Sequence, residues 1–227
     1  MSMSPNDIPG GPGIFLKRRH DWFHRVISSL PVQPASGDIG AVQNALLDLI
    51  DAGGGLEFSR GELFRIMAIS QEEYSSLQNG VDQPGPCMWG GATVPAVYCA
   101  FFEAVTWTRT VIDRFQEPLK SVVQPHDPVL WKSLQKIRSE TGGQAFDDAR
   151  TLAGVSLHWY SPPYAGCGVK VVNGKLIYPV VDRVNDKQDF RSSLRFDQGL
   201  HAEMLVEEYW KAVGIFIDRV VDEFYSE

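Results

Sequence analysis

Two stretches of this 227-residue chain carry a sustained helical rhythm of apolar residues, and they constrain its fold more than any other feature. Val94, Tyr98, Phe101, Val105, Thr108, Ile112 and Phe115 recur at alternating steps of four and three. Thr93 is a candidate N-cap, Pro95 falls in the first turn, and Pro118 is expected to close the helix. Val206, Tyr209, Val213, Ile217, Val220 and Phe224 keep the same rhythm inside a helix expected from Gln198 to Tyr225. Residues so spaced share one helical face, and that face must be buried. Two such helices are long enough to pack on each other as the spine of an all-α helical bundle.

The remaining elements read as shorter pieces around that spine. Ile14 to Leu30 places Phe15, Leu16, Phe23, Val26, Ile27 and Leu30 on one helical face, and Pro31 ends it. Ile39 to Ala52 repeats Ile39, Val42, Leu46, Leu49 and Ile50, with Gly53-Gly54-Gly55 as the expected stop. Two capping boxes, Ser59-x-x-Glu62 and Ser70-x-x-Glu73, predict two further short helices, the second ending at Gly80. Together these form a small N-terminal helical cap. Val81 to Gly91 is rich in Pro and Gly and reads as a loop. Asp127-Pro128 opens another helix, containing Leu130, Leu134 and Ile137, and Gln144 to Leu157 continues helically. Val169 to Val172 and Lys175 to Tyr178 flank Asn173-Gly174, which predicts a β-hairpin insert. The expected organisation is a flexible tail (1–13), an N-terminal helical region (14–91) and a bundle (92–227) with the hairpin at 168–180.

The formal net charge of −7 argues at first against a nucleic-acid substrate. Its distribution weakens that argument. Between Glu203 and Glu227, seven acids face two bases, so this segment alone contributes −5 and the rest of the chain −2. Ile14 to Leu30, with Lys17, Arg18, Arg19 and Arg25 against Asp21, carries +3. A nucleic-acid site would therefore lie away from the acidic face of the terminal helix. The apolar stretch from Val94 to Val111 is broken by Glu103 and Arg109, so no membrane span is expected. Met1 to Gly13 lacks the basic and apolar regions of a signal peptide. The three cysteines, Cys87, Cys99 and Cys167, are odd in number and show no C-x-x-C spacing. A reducing, cytoplasmic setting is expected, with no metal and no cofactor. Dinucleotide, P-loop, zinc-protease and hydrolase motifs are all missing, as is the Glu-x-x-His of di-iron bundles.

Two groups of residues could carry chemistry. Arg19-His20-Asp21-Trp22-Phe23-His24 puts His20 and His24 on one face of the opening helix, within a basic run. It reads either as a solvated surface or as an anion contact. Asp147-Asp148-Ala149-Arg150 runs to His158-Trp159 at a junction between helix and loop. There Arg150 could pair with Asp147 at i,i+3 and His158 could cap the helix, or both could act on a substrate. Metal-independent RNA cleavage needs a base for the 2′-hydroxyl and a cation for the charge of the transition state. Histidine suits the first role and arginine the second. The same pair can also merely hold a phosphate.

At these residues the chain resembles the HEPN superfamily of helical bundles, whose signature is Arg, a polar residue, three more residues and His. Arg19 to His24 matches that six-residue pattern, although the family carries it late in the bundle. Arg150 to His158 lies at a family-like place, after the helix from Ala96 to Gln116, but with longer spacing; Val155 stands where His belongs. The resemblance implies a homodimer whose Arg/His pairs meet at the interface, and metal-independent ribonuclease activity in a toxin–antitoxin or phage-defence system. An antitoxin or other protein partner would fit. Under it, His158 is the base and Arg150 the transition-state clamp, with Asp147 beside them. Arg19, His20, His24 and Arg195 would contact RNA phosphates. Inactive members of the family serve as binding modules, so the alternative is a non-catalytic helical dimerisation or protein-interaction module. A small-molecule site would instead need a closed apolar pocket between the central and last helices.

Overall fold

The longest helix contains the three glycines that read as a stop. In a computed structural model of the chain, α2 runs unbroken from Ile39 to Leu77. The structure describes residues 13–32, 37–77, 87–89, 93–158, 169–172, 174–178, 180 and 201–225, with backbone alone at 13–17, 87–89, 155–158, 170 and 172. The two capping-box helices and the helix before the glycines are one element. A Cβ added to Gly55 would stand 2.3 Å from the Trp107 ring. That glycine marks a close crossing of helices rather than a helix end. Ser59 and Ser70 are fully buried within α2 and therefore cannot be its start. What was expected to be a small cap carries Val42, Leu46, Leu49, Ile50, Leu56 and Leu63 into the single apolar core.

The other helices are α1 (Gly13–Ser28), α3 (Val94–Arg114), α4 (Lys120–Val123), α5 (Pro128–His158) and α6 (Ala202–Tyr225). Pro118 does not close the central helix. It sits in a five-residue π-helical stretch, Phe115–Leu119, that joins α3 to α4. Proline lacks an N–H and its ring crowds an ordinary α turn, and the wider turn accommodates both. Phe115, Leu119 and Val123 consequently stay buried along one rod. Asp127 caps α5: its carboxylate accepts from the N–H groups of Val129 and Leu130, at 3.1 and 2.8 Å.

The chief helix contacts are α2 on α3 and α5 on α6. Aromatic rings bind the second pair to the rod. Trp131 stacks on Phe115 at 4.9 Å, and Phe216 meets Phe115 and Phe146 edge-on at 5.1 and 5.3 Å.

Three short strands, β1 (Cys87–Trp89), β2 (Val169–Val172) and β3 (Lys175–Ile177), form an antiparallel sheet in that order. Met88 pairs with Lys170, and Val171 with Leu176. β1 lies inside the stretch expected to be a loop; three residues among prolines and glycines give too little alternation to reveal a strand. Gly174 takes φ 74°, a left-handed turn conformation that a side chain would disfavour. Gln71 of α2 fastens the sheet to the helices. Its amide donates to the Gly174 carbonyl at 3.0 Å and accepts from the Leu176 N–H at 2.9 Å. Among the described residues, no helix is long and apolar enough to cross a membrane.

Candidate functional site

The opening helix was expected to bury Phe23, Val26, Ile27 and Leu30 together. It buries Trp22 and Val26 instead, and leaves Phe23, Ile27 and Leu30 at 43, 50 and 73% exposure. The rotation has a physical cause. Trp22 offers the largest apolar area, and its indole N–H donates to Asp218 of α6 at 2.6 Å. On the same side of α1, Arg18 lies 3.7 Å from Asp218, and Arg25 donates to Asp222 at 2.5 Å. On the other side, Arg19 pairs with Asp51 of α2 at 2.7 Å. α1 thus lies against α2 and α6 with its arginines spread to either side. The end of α1 is held too: Gln43 donates to the carbonyls of Val26 and Ser29 at 2.7 and 3.1 Å.

This seating decides what the first Arg/His motif does within the chain. The guanidinium of Arg19 is turned to Asp51, and His24 meets His20, with 3.1 Å between their Nε2 atoms. Both imidazoles are exposed. Arg19 and His24 are therefore not brought together.

The second motif is spread along one helix. Arg150 is exposed, and Asp147 faces Arg138 at 3.6 Å rather than Arg150. His158 is the last residue of α5, and its side chain lies outside the described residues, as does Arg195. Eight residues of continuous α-helix separate the backbones of Arg150 and His158 by about 12 Å. Asp148, next to Asp147, is buried and accepts from Gln144 at 2.7 Å. Glu103, whose apolar neighbours in sequence suggested burial, is exposed.

A second polar group went unforeseen. Arg60 of α2 is only 2% exposed. Its Nε donates to Glu207 of α6 at 2.5 Å, and its guanidinium lies over Trp210 and Phe64, 4.4 and 5.2 Å from the ring centres. Beside it opens a groove of about 430 Å³ lined by Phe64, Glu203, Met204, Glu207, Glu208 and Lys211. The terminal helix read as a solvated acidic face, yet Glu203 and Glu207 sit one turn apart on its packed side. No local signal marked Arg60: Glu57 and Glu62 stand beside it in sequence, yet its partner Glu207 comes from the terminal helix.

Burial pushes the Glu203 carboxyl above the usual carboxylate range. Tyr178 is buried nearby, and its phenol is likewise pushed up, by burial first and then by the carboxylates of Glu203 and Glu73; Ser70 opposes this. Glu73 also accepts a hydrogen bond from Thr93 at 2.9 Å. In its neutral form Glu203 could donate to a ligand entering the groove; as a carboxylate it could only accept.

The shift has a stability consequence. An unfolded chain loses the Glu203 proton near pH 4.5, while the folded chain holds it to higher pH. Stability should therefore fall as pH rises through that window and stay lower above it. Glu203→Gln is expected to raise stability relative to the parent at pH 7 and to lose that advantage below about pH 4. Urea denaturation at both pH values checks this, and an advantage that does not change with pH would contradict it.

Comparison of the chain with family models, with curated proteins and with solved structures finds no match.

Proposed function

We propose that this chain is a helical interaction module that associates with a second copy of itself through the outer face of α1. The carrying observation is the exposed pair Phe23 and Ile27, spaced at i and i+4 on α1 beside the buried Trp22 and Val26, with the exposed Leu30 just beyond the helix end at Ser28. Single exposed apolar residues are ordinary, whereas neighbouring ones that form a patch mark a surface for association. Charge supports a self-contact. Arg18, Arg19 and Arg25 are each engaged with carboxylates of the same chain, so two such faces would meet without opposed unpaired arginines. The patch is small, and the pairing is expected to be weak and concentration-dependent. The ribonuclease reading would require, in addition, a dimer in which the exposed Arg150 meets the partner's His158.

Light scattering across a concentration series tests the proposal. The parent chain should approach dimer mass at about 100 μM, well above the typical range of specific complexes, while Ile27→Glu should stay monomeric and folded. A parent that is monomeric throughout, or an Ile27→Glu dimer, rejects it. The same samples, given RNA in EDTA, address catalysis. Cleavage that disappears in Arg150→Ala would add the ribonuclease role, whereas intact RNA would leave a non-catalytic module.

A further inference from the structure

We infer that His20 and His24 form a two-imidazole site for a divalent transition-metal ion of the zinc class. Both ligands belong to one helix of one chain, so the pair is complete without a second copy, although it shares the exposed face of α1 with Phe23 and Ile27.

Residues four apart on a helix lie one above the other. Here the two imidazoles tip toward each other at their outer ends: the ring centres are 4.3 Å apart, but the Nε2 atoms only 3.1 Å. Zinc binds imidazole nitrogen at about 2.0–2.1 Å, so two nitrogens at this separation subtend roughly 100° at a shared ion, close to a tetrahedral angle. Imidazole suits zinc, copper and nickel, and does not select magnesium or calcium.

Without metal, the same geometry is a hydrogen bond in which one Nε2–H donates to the other Nε2. In water such a bond contributes little. An ion would take both Nε2 lone pairs, and the shared proton would move to the Nδ1 of the donating ring. That proton stays on the same ring, so the exchange of tautomer releases none. Asp21 lies 3.9 Å from Nδ1 of His20, on the side where a carboxylate commonly steadies a metal-bound histidine.

The arginines of α1 are not aimed at the pair. Arg18, Arg19 and Arg25 point to Asp218, Asp51 and Asp222, so each guanidinium is matched by a carboxylate rather than left over the histidines. Both rings are exposed, leaving two coordination positions for water or for a donor atom of a ligand. Among the described residues, no cluster of three or more His, Cys, Asp or Glu side chains is placed to hold a metal. The site is therefore an open pair, expected to bind more weakly than a closed four-ligand centre.

The test is a titration of the full, tag-free chain with Zn²⁺ alone, followed by NMR of the imidazole resonances and by competition with a chromogenic chelator. The expected result is saturable binding that shifts the resonances of two histidines, whereas in His20→Ala or His24→Ala the remaining one should not shift at the zinc concentration that saturates the parent. Either substitution should weaken binding by at least about tenfold, since loss of even an outer-shell partner has that effect. His126→Ala, at another exposed histidine, should change nothing, and Mg²⁺ should produce no shift. Zinc that binds equally to the parent and to both variants, for instance through the exposed thiol of Cys99, would overturn the inference, as would an absence of binding. All three histidines are exposed, so these variants should fold, and circular dichroism verifies it.

Discussion

Replacing Arg60 by alanine should destabilise the chain by about 3–5 kcal/mol, the usual range for breaking a buried ion pair from one side. The guanidinium is almost wholly out of water, donates to Glu207 and lies over two aromatic rings. Truncation would remove the packing of its stem on Trp210 and Phe64. It would also leave Glu207, itself largely covered, as an uncompensated charge against apolar neighbours. The pair need not be strongly stabilising in itself for this loss to be large, because desolvation of the two ions offsets much of their attraction. A double change, Arg60→Met with Glu207→Leu, should therefore recover most of the loss. Chemical denaturation of the three proteins checks the claim. A loss below about 1 kcal/mol in Arg60→Ala would place this contact in the class of surface pairs.

Glycine-to-alanine changes at two positions of α2 should have opposite signs. At Gly61 an added methyl meets nothing within 4 Å, so Gly61→Ala is expected to stabilise by about 0.5–1 kcal/mol through helix propensity and a less flexible unfolded chain. At Gly55 the same methyl would stand 2.3–2.5 Å from three atoms in the middle of the Trp107 ring system. That ring cannot yield by a small end rotation, so α2 and α3 must part or Trp107 must leave its place. Overpacking of this kind costs about 1–3 kcal/mol and outweighs the propensity gain. Thermal unfolding of both variants reads the difference directly. Stabilisation by Gly55→Ala would show that the crossing of α2 and α3 is loose there.

These two sites also show what a sequence can and cannot disclose. The long rhythms over residues 94–115 and 206–224 correspond to α3 and α6, because apolar spacing reports burial directly. Asp127-Pro128 marks the start of α5 for an equally local reason, a side chain that caps its own helix. Gly53 to Gly55 misled because glycine serves two purposes: it ends helices by its freedom, and it lets them touch by its size. Only the position of Trp107 distinguishes them. Pro118 misled in the same manner, since a π turn admits it. On α1, apolar residues surround much of the helix, and the buried side was selected by Asp218, Asp222 and Asp51, which no local pattern reveals. The candidate residues Arg19, His20, His24, Asp147 and Arg150 were legible as types. Where each one points was not, because the distances between them depend on partners far away in the sequence.

The partnership of α1 with α6 also bears on how the protein is made. Trp22 and Asp218 are 196 residues apart, and Arg25 reaches the backbone of Tyr225 across 200. At roughly 5–20 residues per second, a ribosome would leave α1 without the α6 half of its seat for about 10–40 s. During that interval the side of α1 that meets α6, with Trp22, would be uncovered on a nascent chain, next to Phe23 and Ile27, which stay exposed in the folded protein. α1 would thus complete its packing only after α6 is made, and until then would offer an amphipathic face to a chaperone.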